Sequence, residues 1–226
     1  MTGAEAMAEL RLWQLVSPSL PVGAYAYSAG LETAVEQGWV TDAEGLAAWT
    51  GGQIRHALAG LDVPVLLRLH RAWAADEPAA VAAWTLRLLA ARETAELRAE
   101  DRHLGRALAR LLADLGEPRA AAFDVDGDVT WATAFALAAV GWQVSAWAAA
   151  RAYLWAWLES QVAAGVKIIP LGQTAGQRVL RDVAAEMPAA VAHAATLPDD
   201  DLGATAPGVS LASSWHETQY TRLFRS

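Results

Sequence analysis

The spacing of apolar and polar residues along this chain is helical rather than strand-like. Alanine and leucine dominate the apolar positions, β-branched residues are sparse, and strict alternation is hard to find. Capping residues, prolines and glycines divide the apolar runs into separate segments. The predicted helices span residues 5–16, 30–37, about 41–58, 62–75, 79–91, 93–115, 130–140, 145–164 and 174–198. This pattern predicts an all-α, single-domain multi-helix bundle with a flexible C-terminal tail, and 226 residues suit one domain.

The clearest interruption of helix is the sequence GVKIIPLGQTAGQRVL at residues 165–180. Gly165 is expected to end one apolar helix, and Pro170 prevents a helix from continuing through its own position. A new helix begins near Thr174, which is a candidate N-cap. Because Lys167 has apolar neighbours, the pattern places a lone lysine at a break between two helices.

Residues 129–150 test whether the chain enters a membrane. They contain no charged side chain over 22 positions, which exceeds the usual length of a membrane span. Nine of them are alanine, however, strongly inserting residues are few, and Gly141 interrupts the run. Two buried core helices are the favoured interpretation, and a membrane segment is the alternative.

The composition changes over the last part of the chain. Residues 199–214 are rich in Asp, Gly, Ala, Ser and Pro and offer few apolar groups to bury. The final sequence ASSWHETQYTRLFRS concentrates aromatic, aliphatic and arginine side chains, a composition typical of segments that dock on a partner. We therefore predict a mobile tail over about residues 199–226. The alternative is a C-terminus folded back on its own domain, which would bury the same groups.

Charge and composition narrow the classes of function. A net charge of -8 and the lack of basic runs interleaved with aromatics argue against nucleic-acid binding. The chain has no cysteine, which excludes disulfides, thiolate metal sites and cysteine nucleophiles and suits a cytoplasmic protein. The acidic start does not have the pattern of a signal peptide. Proteins are therefore the expected partners.

No group of residues has the spacing of a nucleotide or catalytic site. GQTAGQR at 172–178 has three residues between its glycines, whereas a phosphate loop has four, and no nucleophile elbow occurs. Glu100 and His103 have the Glu-x-x-His spacing of di-iron bundles, but the sequence contains no second pair. A solvated face on which Glu96 and Glu100 pair with arginines is favoured. A helical bundle with a carboxylate metal site remains the alternative.

Four stretches, in order, resemble one protein family. They are LPVGAYAYSAGLE at 20–32, RETAELRAEDRHLGRAL at 92–108, GVKIIPLGQTAGQRVL at 165–180 and SSWHETQYTRLFRS at 213–226. Together they resemble the urease accessory proteins UreF over nearly the whole chain. The chain departs from the usual pattern at Ala24, Tyr25, Ala26, Ala29 and Trp215, the last of which replaces an arginine.

The resemblance implies an all-α homodimer with no enzymatic activity, cofactor or metal site of its own. UreF proteins join a second accessory protein, UreD (also called UreH), and the GTPase UreG. The resulting complex delivers nickel to apo-urease. UreF is the adaptor that recruits the GTPase and influences when GTP is hydrolysed.

The resemblance also implies two sets of partner-binding residues. The UreG side resembles a surface built from Glu32, Lys167 and Asp182. The UreD side is a tail that becomes ordered on binding, with Arg222 as its expected anchor, against Tyr25. This set consists of Tyr25, Tyr220, Arg222, Leu223, Phe224 and Arg225.

Lys167 and Arg178 flank the predicted rigid loop and invite a catalytic hypothesis. Either could act in trans near the nucleotide bound to UreG, as arginine fingers do in other GTPases. The favoured interpretation is a surface ion pair between Lys167 and an acidic patch of UreG, because such pairs are far commoner.

Overall fold

The structure is a computed structural model that describes residues 2–122, 127–203 and 206–226. Within these ranges the regular structure is helical, without strands. The α-helices are α1 (Gly3–Leu15), α2 (Leu31–Glu36), α3 (Ala43–Gln53), α4 (Val63–Ala74), α5 (Pro78–Ala90), α6 (Ala95–Asp114), α7 (Trp131–Gly141), α8 (Ala146–Ile168), α9 (Gln173–Ala184), α10 (Met187–Thr196) and α11 (Pro207–His216). Short 3₁₀ turns cover Ala24–Ala26, Ala120–Ala122 and Asp199–Asp201. The helices pack as one domain, so the all-α fold class is confirmed.

Helix α7 lies at the centre of the bundle. Its residues from Trp131 to Ala139 are buried, and it packs against α4, α6 and α8. The uncharged run at 129–150 therefore forms one core helix and the start of another, separated by residues 142–145. Within the described part of the chain, no helix combines the length and apolar character needed to cross a membrane.

The segment between α3 and α4 is a π-helix over Ile54–Asp62. The sequence predicted two helices here, one ending near Leu58 and one opened by Asp62 and Pro64, but the chain stays helical throughout. Pro64 has no amide hydrogen to donate to the carbonyl of Gly60. That carbonyl accepts a hydrogen bond from Gly203 N instead, at 3.4 Å. The wider π-helix places Asp62 in the core. The spacing of apolar side chains in the sequence does not reveal it.

A buried ionic cluster joins this π-helix to α6, α7 and α8. The guanidinium of Arg92 donates to both oxygens of Asp62, at 2.5 and 3.2 Å, and to Asp101 at 2.9 Å. Tyr153 Oη donates to Asp62 at 3.2 Å, and Trp131 N donates to Asp101 at 2.8 Å. Burial raises the pKa of Asp101, and Arg92 opposes that rise. Burial lowers the pKa of Arg92, but the two carboxylates outweigh it and leave this pKa raised.

The predicted end of a helix at Gly165 is wrong. Helix α8 continues to Ile168, so Lys167 lies in its last turn. Gly165 is buried, and a Cβ there would lie 2.6 Å from Leu46 Cδ2 of α3. Glycine is therefore required for close packing of the two helices rather than for termination. The break itself is confirmed, because Ile169 is extended and α9 begins at Gln173.

The C-terminal segment is folded against the domain. Helix α11 packs on α2 and α6 and buries Ala212, Ser213 and His216. Gly30 has a φ of 82°, and a Cβ there would lie 3.1 Å from Ser213 N. This is the folded-back arrangement that was the alternative to a mobile tail, and small side chains allow the close backbone contact of α11. Residues 204 and 205 of the predicted tail lie outside the described residues.

Candidate partner-binding surface

A single carboxylate, that of Glu32 at the start of α2, binds the backbone of the tail. Glu32 Oε1 accepts a hydrogen bond from Leu223 N at 2.7 Å, and Oε2 accepts one from Phe224 N at 2.9 Å. Its side chain is only 12% exposed. Ser28 Oγ caps this end of α2 by accepting from Glu32 N at 3.3 Å. The backbone at Leu223 and Phe224 is thus fixed by a charged group nearly 200 residues away in the sequence.

His216, at the end of α11, connects α2 and α6. Its ring is fully buried, with Nδ1 2.7 Å from Glu96 Oε2 and Nε2 3.3 Å from Glu32 Oε2. The other oxygen of Glu96 accepts a hydrogen bond from Arg222 at 2.7 Å. We call Glu32, Glu96, His216 and Arg222 the tail clasp. In this structure the guanidinium of Arg222 binds the carboxylate of Glu96, and its expected contact with Tyr25 on binding of UreD stays a prediction.

The last two residues of the tail pack against the loop before α2. Arg225 N donates to the carbonyl of Ala26 at 2.8 Å, and the carbonyl of Ser226 accepts from Ser28 N at 2.9 Å. Ser226 Oγ donates to Glu100 Oε2 at 2.6 Å. Burial raises the pKa of Glu100 to about 7, although the hydrogen bond from Ser226 opposes that rise. The acids of α6 that the sequence assigned to a solvated face therefore bind the tail.

The docked tail also contributes to the surroundings of Lys167. Lys167 Nζ lies 5.6 Å from the ring centroid of Phe224 and 6.0 Å from that of Tyr25. These distances are within the range of cation–π attraction. Phe224 is 5% exposed, whereas Lys167 and Tyr25 are exposed. The ammonium group is thus presented to solvent on an aromatic base that the first loop and the tail form together.

The two expected partner-binding sets are not separate in space. Glu32 and Lys167, expected on one side, contact Leu223 and Phe224, expected on the other. Asp182 is on α9, where it is exposed and bonded to Arg181 at 2.7 Å. Arg181 lowers the pKa of Asp182. Of the remaining expected residues, Tyr220, Leu223 and Arg225 are exposed.

Glu100 and His103, the candidates for a metal site, have different neighbours. Glu100 binds Ser226, and the ring of His103 lies 5.8 Å from that of Tyr27. Burial lowers the pKa of His103, as do three arginines nearby. Over residues 2–122, 127–203 and 206–226, no three His, Cys, Asp or Glu side chains are grouped to hold a metal ion.

Sequence reasoning missed Glu96 and His216 as functional residues. The sequence feature that could have indicated them is the tail itself. If its histidine and arginine are buried, they need acidic partners on the domain. Sequence reasoning also did not explain Trp215, which replaces the arginine that is usual in the UreF pattern. In the structure Trp215 packs on Trp39 with ring centroids 5.5 Å apart.

Comparison with known proteins gives one consistent result. The sequence profile of the UreF family matches residues 40–184. The chain is similar to the urease accessory protein UreF of Alkalilimnicola ehrlichii, with 55% identity over 97% of this chain and 96% of that protein. It is also similar to the proteins of the same name from Hahella chejuensis, at 44% identity, and Pseudomonas putida GB-1, at 49%. Those alignments cover 97% of this chain and 99% and 98% of the relatives.

Proposed function

Because the chain belongs to the UreF family of urease accessory proteins, we propose that it is the adaptor of a urease-maturation complex in the cytoplasm. In this role it joins the scaffold protein UreD (UreH) to the GTPase UreG for GTP-dependent insertion of nickel into apo-urease. Nickel is the cargo of this complex, and the chain itself performs no covalent chemistry. The observation that carries the proposal is the docked tail, whose residues help to form the surface around Lys167.

The tail supports a role in which one partner affects binding of the other. Tyr220 and Leu223 face solvent and are available to UreD, while Phe224 supports Lys167, the expected UreG contact. A scaffold protein that holds the exposed side of the tail would stabilise the aromatic base beneath Lys167. Binding of UreD would therefore favour binding of UreG.

Co-purification with both partners tests this proposal. The full chain is compared with a chain that ends at Glu217, which retains α11 and the buried ring of His216. We expect the full chain to retain UreD and UreG, and the shortened chain to lose UreD and bind UreG more weakly. Equal retention of both partners by the two chains would contradict a role for the tail.

The manner in which Lys167 acts on UreG is a separate question. An exposed ammonium over two aromatic rings suits pairing with an acidic patch, and Arg178 is likewise exposed on α9. Lys167→Ala should therefore weaken binding of UreG and leave the rate of GTP hydrolysis per assembled complex unchanged. An intact complex with slower hydrolysis would instead indicate a catalytic finger.

A homodimer is part of the same proposal. A groove of about 410 Å³ between α1, α8 and α10 is lined by apolar residues that include Trp13, Trp155 and Met187. Both tryptophans are exposed, and a second copy would cover them. Light scattering of Trp155→Asp should give the mass of one chain where the unaltered protein gives two. An unchanged mass would place self-association elsewhere.

A further inference from the structure

The position of Glu32 makes direct contact with a GTPase difficult. Both carboxylate oxygens accept hydrogen bonds from the chain itself, and the side chain is 12% exposed. Asp182, expected on the same partner-facing surface, is exposed and bonded only to its neighbour Arg181 among the described contacts. The two acids therefore have different roles: one faces solvent, and the other holds the tail.

The clasp is a set of linked contacts rather than a single bond. His216 Nδ1 lies 2.7 Å from Glu96 Oε2, and His216 Nε2 lies 3.3 Å from Glu32 Oε2. Arg222 binds the second oxygen of Glu96. Removing one carboxylate would leave donors of the tail without an acceptor, in a place where His216 is fully buried.

The two hydrogen bonds to Glu32 determine which way the tail side chains point. They fix consecutive amides, so that Leu223 faces outward, 63% exposed, while Phe224 faces inward, 5% exposed. The inward ring is the one that lies 5.6 Å from Lys167 Nζ. A shift of the tail at this point would remove the aromatic base of Lys167.

We propose that Glu32, together with Glu96 and His216, is a positioning residue that acts on the GTPase only through the tail. It places Phe224 beneath Lys167, and Lys167 makes the contact. This inference rests on the proposed adaptor function, and it separates Glu32 from Asp182, which the geometry leaves free to touch a partner.

Amide hydrogen exchange of the full-length protein tests the positioning role directly. In Glu32→Gln, the amides of Leu223 and Phe224 should exchange about tenfold faster or more, which is the scale of one charge-assisted hydrogen bond. Asp182→Asn is the matched control and should leave both amides unchanged. Unchanged exchange in Glu32→Gln would overturn the proposal.

A double-mutant cycle with Phe224→Ala then tests the route to the GTPase. Glu32→Gln should weaken UreG binding in the unaltered chain and have little further effect once Phe224 is alanine. Equal weakening in both backgrounds would mean that Glu32 touches the GTPase, which overturns the proposal. If the unaltered chain binds neither UreD nor UreG, the adaptor function itself fails, and hydrogen exchange still decides whether Glu32 holds the tail.

Discussion

Replacement of Arg92 by methionine should be among the most damaging single changes in this domain. Arg92 is the shared partner of Asp62 and Asp101, whose side chains are 3% and 5% exposed. Methionine fills similar space but leaves two buried carboxylates without their cation. Breaking a buried ion pair in this way costs about 3–5 kcal/mol. Since domains are typically stable by about 5–15 kcal/mol, this loss would be a large part of the total.

The pH dependence gives this prediction a second, independent part. Burial already raises the pKa of Asp101, and Arg92 is the group that lowers it most. In Arg92→Met the folded-state pKa should rise further above its unfolded value. The loss of unfolding free energy in Arg92→Met is therefore greatest at neutral pH. It becomes smaller as pH falls through the raised pKa, because the carboxyl group then accepts a proton.

Denaturant unfolding at pH 7 and pH 5 measures both parts. A triple variant that carries Asp62→Asn, Arg92→Met and Asp101→Asn has none of the three charges. It should recover most of the stability that Arg92→Met alone loses. Arg181→Met, which breaks an exposed pair on α9, should leave the unfolding midpoint unchanged. If Arg92→Met costs less than about 1 kcal/mol at pH 7, the cluster does not carry the buried charge described.

Two further predictions concern packing and pH. Gly105→Ala would place a Cβ 2.4 Å from Val129 O and should lower the free energy of unfolding by about 1–3 kcal/mol. Gly52→Ala, which meets nothing within 4 Å, should be neutral or stabilising, and equal midpoints for the two would contradict the packing argument. Burial raises the pKa of Glu100 to about 7. The contribution of Glu100 to stability is therefore complete below pH 4.5, its ordinary pKa, and is lost as pH rises through 7. Glu100→Gln should lack that decline in unfolding free energy, and an equally steep decline would show that another group causes it.

The helices were predictable because local chemistry marks their ends. Asp42 accepts from Gly45 N at 2.8 Å at the start of α3, one residue after the predicted start, and α5 begins at Pro78, one residue before the predicted start. The π-helix at Ile54–Asp62 was not predictable, because its apolar spacing resembles that of an ordinary helix over so few residues. The end of α8 was misplaced because a buried glycine serves close packing as readily as it ends a helix.

The candidate site was predictable only in part, for a similar reason. Lys167 stands out in the sequence as a charge among apolar residues, and the aromatic and arginine content of the tail stands out as well. The pairing of Glu32 with Leu223 and Phe224 spans about 190 residues, so no local pattern encodes it. Glu96 was assigned to a solvated helix face because nothing on α6 itself reveals that a distant segment covers it.

The most direct test of the adaptor account is the mass of the assembly formed by this chain with the UreD and UreG of the same organism. Size-exclusion chromatography with light scattering measures it for the three purified proteins, in all pairs and together. We expect a complex that contains all three, with UreG retained more tightly when UreD is present. If UreG binds equally well without UreD, the proposed coupling through the tail is contradicted, and if neither partner binds, the adaptor function is contradicted.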